Sequence, residues 1–306
     1  MTGTASSHHP LLPLALRLAA MAALATMGLL VKLSAESGIH LVETLFWRQA
    51  LGVPMVVGWL LMRGRLDLLR TTRPGAQVTR TGYGLVGMVL NFGAITLLPL
   101  AEATTLSFTS PIFAVLLSII LLHEKVGIWR WAAVLLGFAG VLVIAQPGDG
   151  HLPLFGAAVG LGGAFMIALI SIQIADLNRT DHPITIVFWF TAISTVVMFV
   201  PMLVFSKAHD LNGWLLLIAT GVVGSIGQLL LTASLRFGKI ASIIVMDYSA
   251  LVWATLYGWL VWDSLPPMTT WFGAPLIVGA GVLIGWRERQ LHKDRARVEP
   301  IGADPV

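Results

Sequence analysis

The 306-residue chain contains no cysteine, so it can form no disulfide, no thiolate nucleophile and no iron–sulfur site. Charge is also scarce: Asp, Glu, Lys and Arg make up only 11% of it, where a soluble domain carries about 25%. No stretch matches G-x-x-x-x-G-K-[ST] and no polar segment is long enough for a soluble nucleotide-binding domain, which argues against direct drive by ATP. What the chain does have is apolar sequence, at 57% hydrophobic residues and a mean hydropathy of +0.85, with 31 Gly and 15 Pro. Small residues let membrane helices approach closely and proline is tolerated there. The composition is that of an all-α integral membrane protein.

Apolar windows predict about ten transmembrane helices, near residues 14–35, 41–62, 82–98, 101–122, 128–146, 154–176, 183–206, 213–236, 240–262 and 268–287. The third is the shortest and is cut by Pro99. The net charge of +4 comes from cations dispersed over short loops, so they read as topology signals and no nucleic-acid partner is expected. With both termini cytoplasmic, the inner segments hold Arg63, Arg65, Arg70, Arg73, Arg80, Lys125, Arg130, Arg179, Arg236, Lys239 and the tail cations, while the outer loops hold essentially only Lys207. That asymmetry, with no leader sequence, suits a bacterial inner (plasma) membrane, an organelle being the other reading.

The stretch Pro99–Val141, a helical hairpin around Glu124 and Lys125, has a weaker copy at Ala241–Val282, with Asp263 in the place of Glu124. Two units of five spans each must insert in opposite senses, because an odd number of crossings reverses the entry side. The loop HEKVGIWR is basic and its counterpart DSLPP has no cation, as inversion requires. The expected organisation is an N-terminal tail (1–13), a first repeat (14–146), a hinge (147–153), a second repeat (154–288) and a charged, disordered cytoplasmic tail (289–306). Thr44–Gln49 (TLFWRQ), Leu98–Pro111, Glu124 with Lys125, and Asp247–Trp253 (DYSALVW) together make the chain resemble the drug/metabolite transporter superfamily, in its branch with two EamA-type repeats. The resemblance spans Arg17 to Arg289 and rests on order and spacing. It implies two inverted five-helix repeats around a central cavity lined by the first, third, fourth, sixth, eighth and ninth spans, with the fifth and tenth at the periphery.

Candidate residues are those whose polarity is costly at membrane depth. Asp247, about eight residues into its span, has no local partner and is read as lining a pathway, or as half of a structural ion pair. Arg48 is either paired with Glu43 or a site for an anionic group; Glu102 and Lys32, near outer helix ends, either snorkel or take part in charge coupling. Ser225, Gln228 and Thr232 share a stripe, Thr105 and Thr109 share another next to Pro111, and Asn91 is mid-span. Each can simply bond a neighbouring helix, but their concentration in the third, fourth, eighth and ninth spans points to a shared cavity. Gly82, Gly84 and Gly87 spell G-x-G-x-x-G without a preceding strand, so they read as a packing surface, as do Gly137 with Gly140 and Gly156 with Gly160 and Gly163. The histidines fall in predicted loops or tails, giving no intramembrane metal cluster, and the sequon at Asn178 is assigned to the cytoplasm.

The expectation is a secondary transporter for a small organic metabolite, such as an amino acid, an amine or a related compound, working by alternating access. Asn91, Thr105, Ser225, Gln228 and Tyr248 are expected to contact substrate, and Asp247 to bind an ammonium or carry a coupling proton, with Arg48 and Glu102 as further charge-coupling candidates. The expected partners are the substrate, the lipid bilayer, the coupling proton and, as the oligomer considered, a homodimer. No cofactor or metal is expected. An intramembrane enzyme and a non-transporting scaffold or receptor are the alternatives.

Overall fold

The computed structural model describes residues 12–122, 128–145, 153–237 and 244–298. Glu124 with Lys125, nearly all of the hinge, most of the N-terminal tail and the last residues of the chain lie outside them. The helices are α1 (Leu12–Glu36), α2 (Leu41–Met62), α3 (Pro74–Leu97), α4 (Leu100–Ser107), α5 (Ser110–Leu122), α6 (Ile128–Ala145), α7 (Leu154–Leu177), α8 (Pro183–Phe205), α9 (Leu211–Phe237), α10 (Ser249–Trp262) and α11 (Met268–Val298). No strand occurs among the described residues. Six stretches are long and apolar enough to cross a bilayer unaided: Leu14–Glu36, Leu41–Met62, Leu100–Leu117, Leu154–Leu177, Pro183–Phe205 and Leu211–Leu231. Trp131–Ile144 and Met268–Leu283 are shorter apolar helices. On α8, Val196, Val200 and Val204 are 73%, 66% and 73% exposed, an apolar outer wall of the kind that faces lipid.

Two spans differ from the expected continuous helices. The fourth is broken between α4 and α5 because Pro111 has no N–H to offer the Ser107 carbonyl. The chain tightens instead into Phe108 N–H to Thr105 O (3.1 Å) and Thr109 N–H to Leu106 O (3.1 Å). The ninth enters α10 through a 3-10 turn at Ile244–Tyr248. The third begins at Pro74, earlier than hydropathy suggested, since its first turns carry buried Gln77 and Arg80. The last helix runs on to Val298, through a stretch read as a disordered tail but rich in good helix formers.

The helix pairing repeats when the halves are exchanged. α1 packs on α9 as α7 packs on α3; α2 packs on α9 as α8 packs on α3; the ninth span packs on α1 as the fourth packs on α7. The pairs α2–α8, α6–α11 and α4–α10 map onto themselves. Local chemistry repeats too: His40 caps α2 by accepting from Val42 N–H (3.3 Å), and His182 caps α8 by accepting from Ile184 N–H (3.2 Å). Each histidine stands six residues before a Phe-Trp pair, Phe46-Trp47 and Phe188-Trp189.

Corresponding loops lie at opposite ends. The 37–40 turn and the 206–210 loop share one end, hereafter the A face, where His40 stacks on Phe205 at 4.1 Å. Their counterparts, 178–182 and 63–73, share the other, the B face. There the Asp181 carboxylate accepts from the Thr71 hydroxyl, from Gln77 Nε2 (2.8 Å) and from Thr72 N–H (3.3 Å), and Trp189 Nε1 donates to the Leu69 carbonyl (3.0 Å). The second repeat is therefore inverted relative to the first.

Glycines set the closest approaches. A Cβ at Gly140 would lie 2.8 Å from the Gly273 carbonyl, one at Gly163 would lie 3.1 Å from Asn91 Cα, and one at Gly87 would lie 3.0 Å from Met166 Cβ. These small-residue faces are helix contacts; in the G-x-G-x-x-G run Gly84 and Gly87 make them, while Gly82 faces open space.

Candidate functional site

The two broken spans meet. Phe108, at the break in the fourth, packs edge-on against Tyr248, at the end of the 3-10 turn in the ninth, with centroids 5.0 Å apart. Inside a bilayer such 3-10 tightening re-satisfies the backbone groups that an interrupted α-helix frees, and in inverted-repeat folds interrupted helices carry ligand sites. Around this contact α3, α1, α10, α4 and α7 form a closed ring of packed neighbours.

Adjacent residues of the 3-10 turn point different ways. Asp247 accepts from Arg17 Nε at 2.5 Å and Nη2 at 2.6 Å, a bidentate pair with side chains 28% and 11% exposed. The carboxylate that looked partnerless thus has its partner 230 positions away. Tyr248 turns toward α11, where a Cβ on Gly281 would fall 2.0 Å from its hydroxyl, so only glycine fits there. Two further rungs join α1 to the ninth span, the Thr26 and Tyr257 hydroxyls at 2.7 Å and Trp262 Nε1 donating to Glu36 at 3.1 Å.

The A-face end of this seam opens into a cavity of about 250 Å³ lined by Lys32, Glu36, Glu102, Thr255, Trp262 and Ser264, among others. Lys32 donates to the Leu98 carbonyl at 2.5 Å and lies over the Trp262 ring at 5.3 Å. Glu102 does not snorkel: it is 2% exposed, with the buried Thr270 hydroxyl and Lys32 as its polar neighbours. The first turn of α4 is covered by α10 and α11, which keeps that carboxylate from solvent.

The other candidates divide. Thr105 is fully buried and donates to Ala101 O at 2.7 Å; Ser225 is 7% exposed and donates to Gly221 O at 2.7 Å, facing Gly52 on α2. Asn91 and Gln228 are half-buried on α3 and α9. They occupy matching places, since Gly84, Gly87 and Asn91 have the same spacing as Gly221, Gly224 and Gln228. Arg48 does not pair with Glu43, which instead bonds Ser206 (3.0 Å) and His209 (2.9 Å). Five residues on a helix turn through about 500°, leaving the two side chains some 140° apart. The Arg17 partner and the coupled breaks were missed by sequence reasoning; the repeated His-x5-Phe-Trp pattern was the signal that could have aligned the halves.

The description "EamA-like transporter family" fits residues 11–146 and 154–286. The chain is 32% identical over 260 residues to the pseudopaline exporter of Pseudomonas aeruginosa, covering 84% of this chain and 90% of that one. It is 28% identical over 294 residues to a riboflavin transporter of Vibrio cholerae, covering 94% and 98%. It is 27% identical over 261 residues to an S-adenosylmethionine uptake transporter of Rickettsia felis, covering 82% and 85%. One solved structure shares the fold with a TM-score of 0.59 at 20% identity, over 89% of this chain and 98% of that one.

Proposed function

The chain belongs to the EamA-like transporter family, and from that premise we propose that it moves a small organic metabolite across the membrane by alternating access, with the joined breaks of the fourth and ninth spans as the pivot of the site. The observation that supports this most directly is the Phe108–Tyr248 contact, where the tightened turns of both repeats meet beside the Arg17–Asp247 pair. Asn91 and Gln228, half-buried at matching places, are the substrate-contacting amides in this reading, and Tyr248 with Thr105 and Ser225 shapes the wall. The relatives export or import quite different compounds, so substrate and direction do not transfer.

Asp247 is the coupling group in this reading. Protonation of its carboxylate cancels the attraction to Arg17 and releases one of the three rungs that hold α1 to the ninth span, and one proton crossing 100 mV releases about 2.3 kcal/mol. The protein sits in a bacterial inner membrane with the B face and both termini cytoplasmic, as the cations of the 63–73 segment favour.

The test is uptake into proteoliposomes with a panel of radiolabelled amino acids, amines and nucleoside-like metabolites, with and without a pH gradient. At least one compound is expected to accumulate, and Asp247→Asn to abolish its dependence on the gradient. Unaltered gradient-driven uptake by that variant would remove Asp247 from coupling. Inertness in both orientations toward every compound, with a dicarboxylate and a phosphate monoester added to the panel, would count against transport itself.

A further inference from the structure

Two arginines lie inside the helix bundle with no carboxylate partner among the described residues. Arg80, on α3, is 9% exposed, and its Nε and Nη1 are shut off from solvent without meeting an acceptor. Its guanidinium lies over the Phe190 ring of α8 at 3.9 Å and uses the space left at Gly84, where a Cβ would come within 3.1 Å of Nη1.

Arg48, on α2, lies over Phe92 at 5.3 Å. It donates to Met27 Sδ at 3.1 Å, Met88 Sδ at 3.2 Å and Gln49 Oε1 at 3.0 Å. Thioether sulfur is a weak acceptor, so two of these three bonds are poor. The Gln49 Nε2 beside it is buried and has no partner. Both guanidiniums face the same wall of α3, one at Gly84 and one at Met88. Four residues of helix separate those levels by about 6 Å.

Neighbouring carboxylates are engaged elsewhere. Glu43 bonds Ser206 and His209, Asp247 bonds Arg17, Asp181 bonds Thr72 and Gln77, and Asp176 pairs with Arg73 at 2.9 Å. Uncompensated charge is costly at this depth, and two like charges a helix turn apart raise the cost. Two rigid donor forks, each backed by an aromatic plane, one closed by two thioethers and a single amide oxygen and the other with Nε and Nη1 unmet, are complementary to oxyanions.

We propose that Arg48 and Arg80 form a binding site for a small organic dianion, a dicarboxylate or a phosphate monoester, whose two charges neutralise the two guanidiniums. On the transport reading, on which this inference rests, that dianion is the cargo or part of it. Met27 and Met88 are then placeholders that yield to the oxyanion, and Asn91, three residues beyond Met88 on the same face, supplies a further amide.

The experiment is thermal unfolding of the purified full-length protein titrated with succinate or glycerol 3-phosphate, against acetate and tetramethylammonium at matched ionic strength. A saturable rise in midpoint is expected with at least one dianion and with neither control. Which of the two acts separates dicarboxylate from phosphate chemistry. Arg48→Met and Arg80→Met are each expected to raise the half-saturating concentration at least about tenfold, and exposed Lys207→Gln to leave it alone. Without ligand, Arg80→Met is expected to be no less stable than the parent, because it removes an uncompensated charge. The site is overturned if neither dianion acts saturably, if both arginine variants keep the response, or if ligand-free Arg80→Met loses several degrees. Saturable dianion binding without flux would keep the site and sink the transport reading; flux of another compound without dianion binding would do the reverse.

Discussion

Exchange of the halves carries the seam between α1 and the ninth span onto the seam between α7 and the fourth, yet the two are built from opposite materials. The first is a ladder of polar rungs, Arg17–Asp247, Thr26–Tyr257 and Glu36–Trp262. The second is apolar, with Phe113 edge-on to Phe165 at 5.8 Å and Leu106 packed against Gly160. A further asymmetry runs alongside: α1 packs on α3, and among the described residues α7 and α9 make no comparable contact. Polar contacts exchange with water at a net cost of only about 0.5–1.5 kcal/mol each, whereas interdigitated apolar surfaces lose their packing outright when parted. On the alternating-access proposal, the polar seam is the one suited to open and the apolar seam the fixed frame.

The largest effect is expected on the fixed side. Gly163→Leu drives a side chain into the Asn91 backbone, at a cost upward of about 3 kcal/mol, and should abolish the monodisperse peak in size-exclusion chromatography. A normal elution profile would show that this interface is loose and erase the contrast. Next, Asp247→Ala leaves Arg17 without its partner and should cost about 2–3 kcal/mol in thermal unfolding, with the Arg17→Met/Asp247→Met double variant closer to the parent. Strict additivity of the two single changes would mean that the rung does not act as a pair. Tyr257→Phe removes only the middle rung, at about 1 kcal/mol, and should alter transport rate more than stability; equal losses in both would sharpen the seam into a purely structural one.

The smallest effect lies away from both seams, at Asp181. Burial pushes its carboxyl pKa up, but hydrogen bonds from Thr71, Gln77 and Thr72 prevail and hold it below the ordinary carboxylate range. A depressed folded-state value stabilises above the unfolded pKa of about 3.9 and is lost as pH falls through the folded one. Melting curves between pH 5 and 3 should therefore decline less steeply for Asp181→Asn than for the parent.

Span positions and the inversion were legible in the sequence because hydropathy and loop charge are local signals, as at α2, α7 and α8, whose bounds fall within a residue or two of the apolar runs. What escaped is long-range or concerns backbone continuity. Asp247 gave no hint of Arg17, and the proline at 111 reads the same in a continuous membrane helix as in a broken one. Glu43 and Arg48 suggested a pair by proximity in the chain, while helix rotation separates them. Thr105 and Ser225 were chosen for polarity, but a hydroxyl that can return its proton to its own helix needs no cavity.

The rung between Arg17 and Asp247 closes a loop of 230 residues. At a synthesis rate of about 5–20 residues per second, roughly 10–50 s separate the emergence of these two side chains from the ribosome. Throughout that interval the arginine of the first helix is unmatched, and for most of it the helix has only α2 and α3 to pack on, its larger surfaces on α9 and the ninth span being still to come. Final assembly is therefore timed by the second repeat, and truncated products ending before it would leave the first helix without its largest contact surface, a ready mark for membrane proteolysis.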